Sequence, residues 1–450
     1  MRTKIIATTF LLFGISALSA QENITALSLK ECVEQAVERS ISVVNARIDK
    51  EKSHYKVSET RSALLPQINI GGSFQDNTKL PTTMLPGIIV GQPGTVLPVE
   101  IGTQYNTSAT VTVNQVLYNQ TAFTSLKLSK QADNLNQLSV EKASESLAQE
   151  VAKLYFLAQT TAEQKALVEE NISRTKRMTD ITKTLLNNGM GKQVDYDRIN
   201  VTLQNLYTQL SNTKALHEQQ LNMLKYLLEI PIPTSIVLTD TAGMSLLQAE
   251  PVFVSDFSSH IDIRMLELQR EIAHLNQKNA NNGYIPTLSF IGQFGYQGMR
   301  NDFPNYFNNS PENKWYNSSY IGVSLSIPVF DGLQKRSKSR QAKLEYTRSG
   351  LILDNTKERF NVDFKNAINN YYNNKTNVER QNQNINLAEK VYVETALKYR
   401  EGLATMSDLL QDEMGLSNAQ ASYLNALYNF KEAEINIMSL NGEIKYLINK

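Results

Sequence analysis

Cysteine is nearly absent from this chain: one thiol, Cys32, in 450 residues. A lone cysteine closes no internal disulfide and builds no multi-thiolate metal site. It falls inside a helical pattern, and Leu29-Lys30-Glu31 before it lacks the small residues of a lipoprotein cleavage site, so a buried apolar thiol is expected. Histidine is scarce too. His54, His217, His260 and His274 stand apart without His-x-x-x-His spacing, and His217 sits in an apolar seam where a packed side chain is expected. No Gly-x-Ser-x-Gly elbow occurs. Gly189-Met190-Gly191-Lys192 lacks both the spacing of a phosphate loop and a strand before it. The 11 methionines form no stripe, which leaves a soft-metal relay unsupported. No catalytic group, cofactor or metal is therefore expected. Net charge is also missing: 45 basic against 44 acidic side chains give no reason to expect nucleic acid as a partner. The Asn-rich run at 369–377 reads as a hydrated lining or a solvated helix.

Long hydrophobic runs are lacking as well. After residue 20 nothing approaches the ~18 continuous apolar residues of a membrane helix. Residues 1–20 carry Arg2 and Lys4, an apolar run from Ile5 to Ile15 and small residues at the end, the pattern of a secretory signal. Cleavage is placed after Ala20, although Leu18 is not the small residue preferred there, and the run is too short to serve as a spanning anchor. The mature chain is expected outside the cytoplasm.

The most telling absence is of proline and glycine between Asn119 and Gly189. Within that stretch Ala143, Leu147, Val151, Leu154, Ala158 and Ala162 recur at three- and four-residue steps, the period of a helix packed along another. Such a helix would be roughly 100 Å long, too long for an ordinary core, so it must lie along helices of similar length.

The rest of the chain supplies them, in an order that repeats. Ser28 and Glu31 form a capping box opening a helix to about Ala63, closed by Leu65-Pro66. Ile68, Ile70 and Phe74 then alternate with Gln67, Asn69 and Ser73, a strand with unlike faces. Residues 76–104, with four prolines, read as a long loop. A second strand alternates Tyr105, Ala109, Val111 and Val113 with Asn106, Ser108, Thr110, Thr112 and Asn114, and Val116-Leu117-Tyr118-Asn119 leads into the long helix. After Gly189 a return helix carries a seam from Ile199 to Leu228 and stops at Pro231. About 220 residues after Leu65-Pro66, Ile285-Pro286 ends a helix that starts near Asp256. Two more alternating strands follow, around an Asn-rich loop at about 297–317, and Pro328-Val329-Phe330-Asp331 opens a second unbroken helix to Arg400. A final helix follows Gly402. The expected organisation is a signal (1–20), a first repeat (21–228) with a β-hairpin at 66–118 and a helical hairpin at 119–228, a linker (229–255), and a second repeat (256–450) with a β-hairpin at 286–330 and a helical hairpin at 331–445.

Each strand is about ten residues long, which suits a tilted membrane β-strand. A soluble sheet lying on a core shows the same alternation, but four such strands in an exported chain with no other core favour lipid outside and water inside. Four strands leave two unpaired edges, which hydrocarbon does not tolerate, and the smallest bacterial barrels have about eight strands. Closure by several chains is expected, three copies giving about twelve strands.

Several segments resemble the TolC-like outer-membrane efflux family: LSLKECVEQAVERS (27–40), LLPQINIGGSF (64–74), VLYN (116–119), IPTLSF (285–290), PVFDG (328–332) and GLATMSDLL (402–410). The resemblance spans essentially the whole mature chain. Departures are Ser40-Ile41, where relatives carry Asn-Pro, and the missing lipoprotein cysteine. It implies a mainly α fold with membrane β: duplicated long antiparallel α-helical hairpins forming a trimeric α-barrel, plus four β-strands per chain in a 12-stranded trimeric outer-membrane β-barrel. It further implies a homotrimer in outer-membrane lipid with a helical tunnel reaching into the periplasm. The implied partners are a periplasmic adaptor protein and an inner-membrane RND or ABC pump, for which the tunnel is a passive conduit, not an enzyme. The implied function is export of small molecules such as drugs and toxic compounds, with type I protein secretion as the alternative. A structural coiled-coil surface protein or adhesin is the reading of another class.

The resemblance also assigns sites. Gly189 and Gly402 occupy the adaptor-docking turns, with Asp195 and Asp408 six residues later in each repeat. Asp408 matches an acid that rings the periplasmic gate; the second acid of that pattern falls on Gln411, with Asp412 next to it. Asp195 and Tyr399 match residues that hold neighbouring hairpins shut, and the basic partner of that latch is replaced by Ala404. A weaker closed state is expected. Without the resemblance, acids at helix starts and glycines in turns need no further role.

Overall fold

A computed structural model describes residues 25–448 apart from 92, 242, 244, 245, 248, 249, 252–255, 305, 307 and 309–313. The expected signal segment and parts of the expected linker and Asn-rich loop lie outside the described residues. In chain order the elements are β1 (Thr25–Leu27), α1 (Leu29–Arg39), α2 (Ile41–Ser62), β2 (Gln67–Asp76), β3 (Thr82–Pro86), β4 (Val96–Glu100), β5 (Tyr105–Tyr118), α3 (Gln120–Asn187), α4 (Gln193–Leu227), β6 (Ile236–Leu238), α5 (Ile261–Asn282), β7 (Thr287–Arg300), β8 (Tyr316–Ser326), α6 (Gln334–Arg400), α7 (Met406–Leu440) and α8 (Lys445–Ile448). The two long helices, α3 and α6, have 68 and 67 residues, about 100 Å each.

The expected capping box opens α1: Ser28 N–H donates to Glu31 Oε2 at 2.8 Å, and Glu31 N–H donates to Ser28 Oγ at 3.3 Å. Three expectations are corrected. The helix expected to run to about Ala63 divides at Ser40, the position where the sequence departs from the family's Asn-Pro, and its extended backbone (φ −56°, ψ 132°) caps α1 before α2 begins. The helix expected from Asp256 starts at Ile261, because His260 Nδ1 accepts the Asp262 N–H at 3.2 Å and caps it. The stretch 76–104 is not all loop. It holds an antiparallel ribbon, β3 on β4 from Thr82↔Glu100 to Pro86↔Val96, turned through a 3-10 segment Gly87–Val90. A two-stranded ribbon has only edges, which is where proline is tolerated.

The chain forms two compact units: residues 1–41, 144–253 and 364–450, and residues 42–143 and 254–363. They cut across the two repeats, because each long helix contributes to both units.

The second unit carries a four-stranded antiparallel sheet in the order β2-β5-β7-β8. Strands from the two repeats meet at β5–β7, in register from Tyr105↔Arg300 to Asn114↔Ile291, with an irregularity between Val116 and Tyr118. One face carries Ile70, Val111, Phe294 and Ile321, and Ile70 and Ile321 are each 81% exposed, so nothing in the described chain covers that face. At one end of the sheet the rings of Phe74, Tyr105, Phe303 and Tyr306 cluster, with the Arg300 guanidinium over the Tyr306 and Trp315 rings at 4.8 and 5.8 Å. Aromatic rings with one wet end gather at membrane–water boundaries.

The first unit packs α4, α7 and parts of α3 and α6, with a small parallel pair, β1 on β6. Tyr155 of α3, fully buried, ties this region together. Its hydroxyl lies 3.1 Å from Leu27 O and from Asp240 Oδ2 and accepts the Asp240 N–H at 3.1 Å. Asp240 Oδ2 also accepts the Leu29 N–H at 2.6 Å, at the start of α1. Burial pushes the Tyr155 phenol up to about 12. Deeper in α7, Lys431 and Glu434 form an ion pair of 2.7 Å with side chains 1% and 0% exposed, the ammonium lying over the Phe156 and Phe430 rings.

Tyr155→Phe leaves the Asp240 N–H without its acceptor beside a buried ring, while the Leu27 carbonyl keeps the Thr239 N–H. The expected cost is about 1–3 kcal/mol, read as a lower denaturation midpoint by circular dichroism.

Candidate functional site at the paired helical tips

Both long helices end in the same turn. At the first, Gly189 adopts φ 74° and donates to Leu186 O at 3.0 Å, while Met190 N–H donates to Leu185 O at 2.9 Å. At the second, Gly402 adopts φ 76° and donates to Tyr399 O at 3.1 Å, while Leu403 N–H donates to Lys398 O at 2.8 Å. This pair of bonds satisfies the last helix carbonyls, and the left-handed residue it requires is most easily glycine.

The return helices start differently. Thr405 caps α7 in a box: Thr405 N–H and Oγ1 donate to Asp408 Oδ2 at 2.9 and 2.7 Å, and Asp408 N–H donates to Thr405 Oγ1 at 3.2 Å. These bonds, the hydroxyl first, hold the Asp408 carboxyl below the usual carboxylate range, so it stays ionised near neutral pH. Lys192 caps α4 without any side-chain bond, and Asp195 in its first turn lies 3.9 Å from Arg198.

The four helices meet over a shared apolar core of Met178, Ile199, Tyr392, Met406, Leu409 and Leu416, flanked by Tyr399 and Leu410. Two polar ties join the hairpins beside it. Arg198 Nη1 of α4 donates to Ser407 Oγ of α7 at 3.0 Å, and the Tyr399 and Thr182 hydroxyls are 3.5 Å apart. Farther from the turn, the core takes in charge. Glu413 of α7 is buried, and the Tyr392 hydroxyl approaches its carboxylate without reaching full hydrogen-bond geometry. Its nearest cation is Arg174 Nη2 at 3.9 Å. Arg174 is also engaged by Glu170 at 2.7 Å and by Asn171, and it lies over the Tyr392 ring. Burial outweighs the attraction of Arg174 and raises the Glu413 pKa, and it pushes the Tyr392 phenol up to about 12. One level further, Asn171 Nδ2 donates to Gln420 Oε1 at 3.2 Å. Among the described residues no group of three or more His, Cys, Asp or Glu could hold a metal, and no helix is long and apolar enough to cross a membrane.

A family model described as "Outer membrane efflux protein" matches residues 32–228 and 258–443. The chain belongs to this family. The outer membrane protein TolC of Vibrio cholerae is 23% identical over 466 residues, covering 96% of this chain and 98% of the relative. TolC of Escherichia coli is 21% identical over 462 residues, covering 96% and 85%. Among solved structures, the outer membrane protein VceC of Vibrio cholerae superposes with a TM-score of 0.74 at 14% identity, covering 92% of this chain and 96% of that one. As an outer membrane efflux protein the chain is an outer-membrane conduit, not an enzyme.

Against that family pattern, the expected site residues take definite positions in this efflux protein. Gly189 and Gly402 are the two turns. Asp408 and Gln411 are exposed on α7, and Asp412 is half-buried beside them. Asp195 and Tyr399 make no bond to each other: Asp195 faces Arg198 on its own helix, and Tyr399 meets Thr182. Ala404 supplies no cation, and the guanidinium linking the hairpins comes from Arg198 on the other one. Neither Arg198 nor Glu413 stood out in the sequence. For Glu413 a signal was present: the buried stripe of α7 reads Leu409, Glu413, Leu416, Gln420, Leu424, with two polar residues on an apolar seam.

A carboxyl whose folded pKa lies above its ordinary 4.5 stabilises the packed tip fully below that value, and the contribution is lost as pH rises through the folded pKa. Glu413→Gln is therefore expected to slow amide exchange in the tip helices at pH 8 and to flatten its dependence between pH 5 and pH 8. Arg198→Ala is expected to speed exchange of the first turns of α4 and α7 at any pH, by about 1 kcal/mol of lost protection.

Proposed function

We propose that three copies of this chain form the outer-membrane channel-tunnel of a tripartite efflux system, a passive conduit for small molecules such as drugs and toxic compounds. The observation that carries the reading is the four-stranded sheet with β2 and β8 as free edges and an uncovered apolar face. Edge N–H and C=O groups cost several kcal/mol each in hydrocarbon, so β2 of one copy pairs with β8 of the next until the sheet closes, at about twelve strands.

In that assembly the helical hairpins reach into the periplasm, and the Gly189 and Gly402 turns dock an adaptor protein joined to an inner-membrane RND or ABC pump. Asp408 forms a ring of carboxylates around the axis, with Gln411 and Asp412 one turn on. Asp195, through Arg198, and Tyr399, through Thr182, hold the hairpins closed. Carboxylate rings attract cations, and the low Asp408 pKa keeps the ring charged across the neutral range.

Two measurements test this. Multi-angle scattering in detergent is expected to give the mass of three chains, and a stable monomer overturns the reading. In planar bilayers, Asp408→Ala is expected to weaken block by a trivalent cation about tenfold, about 1.4 kcal/mol. Asp408→Asn, which keeps an acceptor for the Thr405 N–H, separates loss of charge from loss of the cap; unchanged block in both variants removes Asp408 from the gate.

A further inference from the structure

The register of the sheet sorts its side chains into two faces, and the face opposite the apolar one has a property that the length of the strands makes conspicuous. No Asp, Glu, Lys, Arg or His occurs in positions 67–75, 106–118, 287–299 or 316–326, although one residue in five of the chain is charged. The only charged residues of this four-stranded sheet, Asp76 and Arg300, stand at one end and share a cross-strand row with Tyr105 on the apolar face. The polar face carries mainly amides, hydroxyls and small residues, with Ile291 and Met299 of β7 as uncharged exceptions. Row by row across the four strands it reads, for example, Asn69-Thr112-Gln293-Tyr320 and then Gly71-Thr110-Gly295-Ser318.

These side chains satisfy one another without ions. The Ser73 and Ser108 hydroxyls are 2.7 Å apart, and Tyr320 Oη donates to Gln293 Oε1 at 3.2 Å. The Gly71–Ser318 row carries no side chain larger than threonine, and a Cβ on Gly295 would come within 3.0 Å of Thr110 Cγ2. The rows on either side of it, Asn69-Thr112-Gln293-Tyr320 and Ser73-Ser108-Gln297-Tyr316, each carry a glutamine and a tyrosine.

We propose that the barrel wall of this protein is a charge-free, hydrogen-bonding lining that passes cargo without regard to the sign of its charge. The inference rests on the channel reading above. It places any preference for cations at the helical tips, where Asp408 lies, and assigns the wall to amphipathic organic solutes that are cationic, anionic or neutral. A fixed charge in a narrow pore acts on every ion passing within a Debye length, about 10 Å in 0.1 M salt. Its absence over four whole strands removes that discrimination from the membrane segment.

The test uses Thr110→Cys in the full-length protein, reconstituted in planar bilayers and modified with a cationic and an anionic methanethiosulfonate reagent of similar size. The native thiol adds no background, since Cys32 is fully buried and burial pushes its pKa up to about 12. The expected ratio of the two rates lies within about fivefold of the ratio for a free thiol, the bias expected of three unit charges about 10 Å away being larger. A greater bias of either sign overturns the proposal. So does a conducting pore in which the introduced thiol reacts with neither reagent, or in which Val111→Cys, on the apolar face, reacts as fast. Ser108→Cys, one row away, serves if Thr110→Cys does not assemble. If the wild-type protein forms no pore at all, the channel reading falls and this inference with it.

Discussion

A backbone polar group left unpaired in hydrocarbon costs several kcal/mol, and this chain presents two rows of them along β2 and β8. Nothing else in the described chain relieves that cost. The apolar face of the sheet poses the same demand in side-chain terms: Ile70 and Ile321 stand almost as exposed as in an extended chain, tolerable only against lipid. A membrane and further copies of the chain are thus conditions for the sheet to exist, and the family to which the chain belongs supplies the setting.

The helical part obeys a different rule. Coiled-coil packing of helices about 100 Å long needs a seam maintained over many turns, and such a seam tolerates polar residues only where they find partners. The seams here admit several. Asn171 and Gln420 pair with each other, and Lys431 and Glu434 pair under two aromatic rings. Glu413 is the exception, its burial offset only by a guanidinium at 3.9 Å and a poorly aligned Tyr392 hydroxyl. A buried acid of this kind weakens packing at neutral pH, and it lies close to the tips, where hairpins would separate if a channel opens. The residues that join the tips, Arg198, Ser407, Tyr399 and Thr182, are single hydrogen bonds of modest net worth. The tip is held mainly by its apolar core and only lightly by its ties.

The duplication was legible in the order of the residues. Period-two and period-3.6 patterns separate strands from helices without tertiary information. Two glycines flanked by long uninterrupted helices identify the turns, and Ser28 with Glu31 announces its own helix start. Where the reading missed, a local signal was overridden or absent. Ser40 broke a helix that the pattern carried through, and the proline-rich stretch at 76–104 concealed a ribbon whose strands are all edge.

Residue order alone therefore determined which segments are helix and strand, which face of each strand is apolar, that both halves share one plan, and that no strand interior carries charge. These follow from covalent geometry and local periodicity, which each segment expresses by itself. Only the tertiary structure decided that β5 pairs with β7 across the repeats, that Arg198 bonds Ser407 between the two hairpins, and that Glu413 is enclosed. Those outcomes depend on distances between residues up to about two hundred positions apart, and no local pattern encodes which of many compatible partners the packed chain brings within reach.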